Sequence, residues 1–334
     1  MKIFKVKDLR PSSSDQYPRF NGFLKECKVK FIKSEREFDI TVCNVHSNEI
    51  NNQTLSMNNK KVICISGENL FRKRSVFGMV NRIIKIFPLL GDVLFVVIMR
   101  LRIRNFQLPL YPWRKKLRYI NKTKNIAAIT SNMTESNIMD IPWSFVAYHP
   151  MLQEIDRRDR RSEIQRSRFC AFIVSNPGNL DRLVFYQMLS RYKKVDSYGK
   201  IFRNCEIPEE LEKLDQWEKI NSELYKQYKF VICFENSYSA NYITEKLLLV
   251  MYANAIPIYR GAPNVSKYFN TKSFINYEDY GRSYEKMIEK IIELDNNDEK
   301  YREFAKQSFL NDDLFYVISE ERKKLVRFLC EKQG

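Results

Sequence analysis

The chain has almost no histidine and lacks the paired cysteines of zinc or disulfide frameworks. His46 and His149 are its two histidines, so a His-rich metal site is not expected. Its seven cysteines are scattered, odd in number and free of any C-x-x-C pair. Several lie in apolar, strand-like runs, which predicts buried thiols in a reducing compartment.

No apolar run is long enough to span a bilayer. The start, "MKIFKVKDLRPSSSD", lacks the apolar core of a signal peptide. The most apolar stretch begins at Ile83 and is interrupted by Lys85, Pro88 and Asp92. Its unbroken part, "VLFVVIM", is far shorter than the ~20 residues that a spanning helix needs. We interpret 83–99 as a core helix, with a shallow dip into the membrane interface as the alternative, and expect a cytoplasmic protein, either soluble or peripheral on the inner membrane face.

The sequence also lacks a G-x-G-x-x-G or Walker phosphate loop, although its formal charge of +17 favours an anionic partner. Nucleic acid, an acidic membrane surface and a phosphorylated small molecule all fit this charge. The arginine-rich segment "EIDRRDRRSEIQRSR" (154–168) is interleaved with acids and poor in aromatics, which is atypical of a nucleic-acid tract. Segment 154–168 is predicted to be a linker, with an exposed helix as the alternative.

Two sets of alternating strand and helix signals flank this linker. The first contains "KECKVKF", "FDITVCN", "KVICIS" and "NIAAIT"; the second contains "RFCAFIVSN", "KKVDSYG", "YKFVICF", "AIPIY" and "SFINY". Short apolar strands bounded by helices are typical of parallel sheets. We therefore predict an α/β protein with two Rossmann-like domains, whose parallel sheets face a cleft. The predicted domains are residues 1–155 and 156–310, followed by a helical tail, 311–334.

Charged residues stand where two strands of the second set give way to helices. In "FENSYSANYITEKL" (234–247), Lys246 lies in the first turn of a helix, where a cation opposes the helix dipole. Arg182 lies near the start of the preceding helix. An anion between Lys246 and the backbone N–H groups would resolve the conflict, and both cations could converge on one phosphate. A solvated lysine side chain is the alternative.

A glutamate follows a strand of the first set. "KVICISGENL" is a strand followed at once by Gly67, Glu68 and Asn69. A carboxylate at a strand's carboxyl end can face an interdomain cleft and take a proton from a substrate hydroxyl. On this tripeptide alone, an ordinary Gly-Glu-Asn turn is the better explanation of the pattern.

Several motifs together resemble one known family. The block 228–280 contains F-E-N-S, then Y-I-T-E-K, then I-P-I with a glycine, then S-F-I, and resembles the signature region of the α1,3/4-fucosyltransferases. Segment 169–200, "SGEN" (66–69) and "LPLYPW" (108–113) are similar to other parts of that family. The resemblance covers roughly residues 60 to 280.

The resemblance implies a GT-B fold and inverting transfer of L-fucose from GDP-fucose to a sugar hydroxyl. Glu68 would be the general base, in the N-terminal, acceptor-side domain. Arg182 and Lys246 would hold the diphosphate and Glu245 would lie near the ribose, in the C-terminal, nucleotide-binding domain. The complete set implied for GDP-fucose is Arg182, Tyr242, Glu245, Lys246, Asn236 and Glu235. Since no D-x-D motif stands out, no metal ion is expected to be required, although Mn²⁺ or Mg²⁺ could stimulate departure of the diphosphate.

The acceptor side departs most from the family. The stretch between "SGEN" and "LPLYPW" is apolar and basic, and Arg260 stands where many members have Trp or an aliphatic residue. We expect GDP-fucose and a glycan acceptor as partners, an α1,3-type linkage in surface polysaccharide or lipopolysaccharide synthesis, and at most peripheral contact with an anionic membrane. The alternatives are a GT-B transferase using another nucleotide sugar and a basic, non-catalytic protein that binds nucleic acid or membrane; nucleic acid is not the expected partner.

Overall fold

A computed structural model places a parallel sheet in each half of the chain. The structure describes residues 2–8, 23, 25–33, 40–44, 61–66, 126–130, 141–157, 166–175 and 179–330.

The N-terminal sheet has five parallel strands. They are β1 (Lys2–Asp8), β2 (Val29–Lys33), β3 (Ile40–Asn44), β4 (Lys61–Ser66) and β5 (Ile126–Thr130). Their order is β2-β1-β3-β4-β5, so β1 is an inner strand, with Val6 paired to both Lys33 and Ile40. The apolar runs predicted β2 to β5. They did not predict β1, because lysines interrupt its apolar pattern.

The C-terminal sheet also has five parallel strands, in the order β10-β9-β8-β6-β7. They are β6 (Arg168–Phe172), β7 (Val195–Ser197), β8 (Tyr228–Ile232), β9 (Ile256–Tyr259) and β10 (Ile275–Asn276). All five coincide with predicted runs. Every side chain of β9 is buried, as expected when helices cover both faces of a sheet.

Helices enclose this second sheet. They are α1 (Trp143–Ala147), α2 (His149–Arg157), α3 (Leu180–Ser190), α4 (Glu209–Glu212), α5 (Trp217–Tyr225), α6 (Glu245–Tyr252), α7 (Tyr284–Asp295), α8 (Asp298–Ala305) and α9 (Leu314–Cys330). Side chains of β8 alternate between two cores: Phe230 and Ile232 pack with α3, α7 and α8, whereas Val231 packs with α1, α2, α5, α6 and α9. Five consecutive residues of α6, 247–251, are buried, which fixes the position of its N-terminus.

Helix α1 and helix α2, which runs into the first residues of the predicted linker 154–168, pack against this C-terminal core. The Ser144 hydroxyl donates to the Ile243 carbonyl oxygen at 2.6 Å, and the Phe145 ring meets Tyr268 edge-on with ring centroids 5.0 Å apart. His149 is buried, with Nε2 2.9 Å from Nη2 of Arg322 in α9. Residues 141–157 thus contact the second unit, while the predicted boundaries at 155 and 310 stay predictions.

Within the described part of the chain, no helix has both the length and the apolar character needed to cross a membrane. The apolar segment 83–99 lies outside the described residues. Cys170 and Cys233 are buried free thiols, as their apolar strands predicted, and burial raises the pKa of both.

Candidate active site

The predicted site residues of the C-terminal half gather at the carboxyl edge of its sheet. Residues 233–244 leave β8 and lead into α6, while α3 follows β6. In open α/β sheets, ligands bind at this edge, where the N-termini of the connecting helices also lie.

Lys246 lies in the first turn of α6 beside carboxylates. Thr244 caps the helix, and its hydroxyl oxygen accepts from the backbone N–H of Lys246. Lys246 Nζ lies 3.0 Å from Glu245 Oε1, 3.2 Å from Thr244 Oγ1 and 3.9 Å from Glu235 Oε2. Burial lowers the pKa of Lys246, but the two carboxylates outweigh it, so this pKa is raised overall. With its side chain 29% exposed, Lys246 retains access to a ligand.

Arg182 lies in the first turn of α3 and is only 2% exposed. Its Nη1 donates to Oδ1 of Asn236 at 2.8 Å. The helix is capped by Asn179, whose Oδ1 accepts from the backbone N–H of Asp181 at 3.0 Å. Arg182 and Lys246 therefore contact the adjacent residues 236 and 235, which places their two helix starts on either side of this dipeptide.

Glu235 is completely buried, and both of its carboxylate oxygens accept hydrogen bonds from Thr244. Oε1 accepts from the Thr244 backbone N–H and Oε2 from the Thr244 hydroxyl, each at 2.7 Å. Burial raises the pKa of Glu235 to about 7, against the lowering effect of Lys246. Glu235 thus faces the capping residue of α6 rather than solvent.

The loop before α6 is shaped by a left-handed asparagine. Asn241 has φ of 56°, a conformation that Asn, Asp and Gly adopt most readily. Its Oδ1 accepts from Asn264 Nδ2 at 2.8 Å and from the Tyr268 hydroxyl at 2.9 Å. Asn241 thereby fixes the position of Tyr242, another predicted ligand of GDP-fucose, which is only 1% exposed.

Sequence reasoning missed the role of Arg260, which it noted only as a departure from the family. Arg260 follows β9, and its Nη1 lies 2.9 Å from Asp181 Oδ2. Its guanidinium lies 5.2 Å from the Tyr238 ring centroid and 5.1 Å from that of Tyr277. The Tyr284 hydroxyl donates to Asp181 at 2.9 Å. Lys246 and Arg182 were identified as cations at helix starts, whereas Arg260 directly follows a buried parallel strand, so that signal did not find it.

Gly261 lets the chain pass close to Glu235. A Cβ at this position would lie 2.5 Å from Glu235 Cγ and 2.3 Å from the Tyr259 hydroxyl oxygen, so neither neighbour leaves room for a side chain. The Tyr259 hydroxyl accepts from the Ala262 backbone N–H at 3.0 Å. The glycine after "IYR" thus permits tight packing around the buried carboxylate.

Glu68, the predicted general base, lies outside the described residues. The strand predicted before it is present as β4, which ends at Ser66, two residues earlier. The roles of all seven predicted site residues stay predictions, although the structure brings six of them to one edge of a sheet.

Comparisons with known proteins identify the family of this region. The model of glycosyltransferase family 10 (fucosyltransferase), C-terminal part, matches residues 164–331. An α-(1,3)-fucosyltransferase of Helicobacter pylori is 33% identical over 167 residues, which are 50% of this chain and 32% of that protein. A GDP-fucose protein O-fucosyltransferase 3 of Xenopus tropicalis is 35% identical over 126 residues, 37% of this chain and 26% of that protein. The matched regions thus span about a third or less of these curated relatives.

Solved structures extend the likeness to both sheets. The crystal structure of an α1,3-fucosyltransferase with GDP-fucose matches with a TM-score of 0.55 and 20% identity, covering 99% of this chain and 91% of the other. At this identity the likeness shows the fold alone, and that fold is GT-B, as predicted. The family match over the C-terminal half, together with the shared fold, shows that this chain belongs to glycosyltransferase family 10, the fucosyltransferase family.

Proposed function

We propose that this protein is an inverting fucosyltransferase that moves L-fucose from GDP-fucose to an acceptor hydroxyl. One observation carries the proposal: Arg182 and Lys246 stand at two helix N-termini beside the 235–236 dipeptide, within the region that the family model matches. A nucleoside diphosphate is the ligand class that two such cations at helix N-termini suit.

The two cations stabilise the departing diphosphate. Arg182 offers a planar fork of donors, whereas Lys246 offers a point charge that can leave its carboxylate partners for a phosphate oxygen. Each charge-assisted hydrogen bond contributes about 1.5–3 kcal/mol. Because negative charge grows on the diphosphate as the sugar departs, these contacts strengthen in the transition state.

The remaining residues of the set orient the donor. Glu245, at the first position of α6, is 22% exposed at its side chain and can accept hydrogen bonds from ribose hydroxyls. Asn236 accepts a hydrogen bond from Arg182, and Tyr242 follows Asn241, which Tyr268 and Asn264 hold in place. In this proposal Asn236 and Tyr242 shape the donor pocket.

Glu68 removes the proton from the acceptor. The acceptor oxygen attacks C1 of fucose while its proton passes to the Glu68 carboxylate, and the bond from C1 to the diphosphate oxygen breaks with its electrons going to GDP. This single displacement inverts the configuration at C1 and requires no covalent intermediate. A positioned base of this kind typically contributes ~10²–10⁴ in rate.

We further propose that no metal ion is required and that Mn²⁺ or Mg²⁺ is at most stimulatory. Arg182 and Lys246 supply the positive charge that a metal would otherwise bring to the diphosphate. Fucosyl transfer should then persist in excess EDTA. Loss of activity in EDTA that returns on adding Mn²⁺ would contradict this.

For the acceptor, we propose a glycan hydroxyl joined in α1,3-type linkage, in surface polysaccharide or lipopolysaccharide. The likeness to an α-(1,3)-fucosyltransferase of Helicobacter pylori supports the linkage in this proposal. A protein hydroxyl is the second candidate, because the Xenopus relative is a protein O-fucosyltransferase with similar identity. The cytoplasmic location and peripheral membrane contact stay predictions.

The decisive experiment separates donor from acceptor. GDP should raise the melting temperature and UDP should not, with stabilisation of about 2.7 kcal/mol when GDP stands at 100 times its Kd. Labelled fucose from GDP-fucose should then appear on oligosaccharides rather than on peptides, and labelled GDP-mannose should give no product. Transfer from GDP-mannose would favour a transferase of another nucleotide sugar, and failure to bind GDP would refute the proposal.

Glu68→Gln is the matched control. This variant should bind GDP as tightly as the wild type but lose transfer by about 10²-fold or more, since Gln cannot accept the proton. Full activity of the variant would remove Glu68 as the base while leaving the donor assignment intact.

A further inference from the structure

Residue 235 is hydrogen-bonded to the capping residues of two different helices. Its backbone carbonyl oxygen accepts from Nδ2 of Asn179, the cap of α3, at 2.7 Å. Its carboxylate accepts from the backbone N–H and the hydroxyl of Thr244, the cap of α6, both at 2.7 Å. One residue therefore sets the spacing between the two helix starts.

Each helix start carries one of the cations. Thr244 Oγ1, held by Glu235, lies 3.2 Å from Lys246 Nζ. On the other side, Asn236 Oδ1 accepts from Arg182. Displacement of residue 235 would thus change the distance between the two groups proposed to grip the diphosphate.

Both carboxylate oxygens of Glu235 are occupied by Thr244, which leaves the carboxylate no acceptor for a ligand. The Glu235 side chain is completely buried, and the backbone N–H of this residue donates to the Arg260 carbonyl oxygen at 2.9 Å. Cγ packs where a Cβ of Gly261 would stand. A buried carboxylate is costly unless it is paired, and Lys246 Nζ lies 3.9 Å from Glu235 Oε2. Both carboxylate oxygens accept hydrogen bonds from Thr244, whose hydroxyl oxygen also contacts Lys246, so Glu235 is linked to Lys246 through Thr244 as well as by charge.

We propose that Glu235 is a positioning residue, which does not touch the nucleotide but holds Lys246 and the start of α6 at a fixed distance from Arg182. This inference rests on the proposed donor site and replaces the direct GDP-fucose contact that the sequence implied for Glu235.

The test is a double-mutant cycle on GDP affinity, measured by titration calorimetry on the wild type, Glu235→Gln, Lys246→Met and the double variant. Glu235→Gln is nearly isosteric and keeps an oxygen for Thr244, so the fold should persist. A positioning role predicts that Glu235→Gln raises the Kd for GDP about tenfold in the wild type. In the Lys246→Met background the same change should raise the Kd less than about twofold, because Glu235 acts through Lys246.

Other outcomes would overturn the inference. If Glu235→Gln raised the Kd for GDP by the same factor in the wild type and in Lys246→Met, Glu235 would act independently of Lys246. Tighter GDP binding by Glu235→Gln would mean that the carboxylate merely repels the diphosphate. If the wild type itself fails to bind GDP, the proposed function fails instead, so the two failures are distinguishable.

Thr244 provides a second route if Glu235→Gln does not fold. Thr244→Ser keeps the hydroxyl that links Glu235 to Lys246, whereas Thr244→Val removes it at similar volume. Only Thr244→Val should weaken GDP binding, by several-fold. Equal affinities for the two variants would contradict the proposed chain of contacts.

Discussion

The starts of α3 and α6 are built from the same sequence of parts. Each begins with a polar side-chain cap, followed by an acid and directly after it a cation; these are Asn179, Asp181 and Arg182 in α3, and Thr244, Glu245 and Lys246 in α6. The acids differ in their partners. Asp181 forms an ion pair with Arg260 and accepts a hydrogen bond from the Tyr284 hydroxyl; these partners lie about 80 and 100 residues further along the chain. Glu245 instead pairs with the adjacent Lys246.

This difference gives the two cations different properties. Arg182 is buried, and its hydrogen bond to Asn236 goes to a neutral amide oxygen, so it has already lost its hydration and is held in place before a ligand arrives. Lys246 is partly exposed and must exchange a carboxylate for a phosphate. We expect the first contact to contribute more to donor affinity than the second, because less is lost when it forms.

Removal of the buried cation should have the largest effect. Arg182→Met removes about two charge-assisted hydrogen bonds of about 2 kcal/mol each, so the Kd for GDP should rise about a thousandfold. Titration calorimetry measures the Kd for GDP of each variant. Arg182→Lys is the control: it keeps the charge without the planar guanidinium, so its Kd should lie between those of the wild type and Arg182→Met. If Arg182→Met lost less GDP affinity than Lys246→Met, the exposed cation would contribute more to donor binding than the buried one.

The buried carboxylate beside α6 should make stability depend on pH. The pKa of Glu235 is raised to about 7, from about 4.5 in the unfolded chain. The folded state therefore binds more protons between these values, and stability falls as pH rises through this interval. Relative to Glu235→Gln, the wild type should lose about 3 kcal/mol of unfolding free energy between pH 4.5 and 7 and little above it. Urea unfolding of both proteins across this range checks the slope; parallel curves would mean that Glu235 is not perturbed.

The ion pair beside α3 should couple two distant segments. Asp181→Asn and Arg260→Met should each lower the unfolding free energy by about 2 kcal/mol, since each leaves a partly buried charge without its partner. The double variant should lose at least about 1 kcal/mol less than the sum of the two. Chemical unfolding of the four proteins measures this coupling. Additive losses would show that Arg260 does not hold the start of α3.

Loss of the exposed cation should have the smallest effect of the four. Lys246→Met should raise the Kd for GDP about tenfold and reduce its dependence on salt, since one partly solvated charge is removed. Lys246→Arg is the control and should retain most of the affinity. Affinity measurements at 50 and 300 mM NaCl compare the slopes; unchanged affinity would leave α6 with only a structural role.

Much of the C-terminal half was predictable, because its signals are local. Apolar runs marked all strands of the second sheet, and the position of Arg182 and Lys246 at the starts of the helices that follow two of them placed both at the carboxyl edge of the sheet. Strand β1 was missed since its lysines interrupt the apolar run, although pairing on both sides determines its place. Glu68, the predicted base, lies outside the described residues.

The contacts of the site were not predictable to the same degree. The Arg260–Asp181 pair joins residues from two different strand–helix units, and no spacing along the chain signals it. Glu235 follows a strand as an apparently exposed loop residue, yet the fold buries it completely beneath Thr244.

By itself, the sequence determined the strands of the second sheet and the family motifs, since each depends on residues close together in the chain. Only the tertiary structure decided which acid neutralises which cation and which carboxylate is buried. Those outcomes depend on how elements far apart in sequence meet, and on the free energy of taking charge out of water where they do.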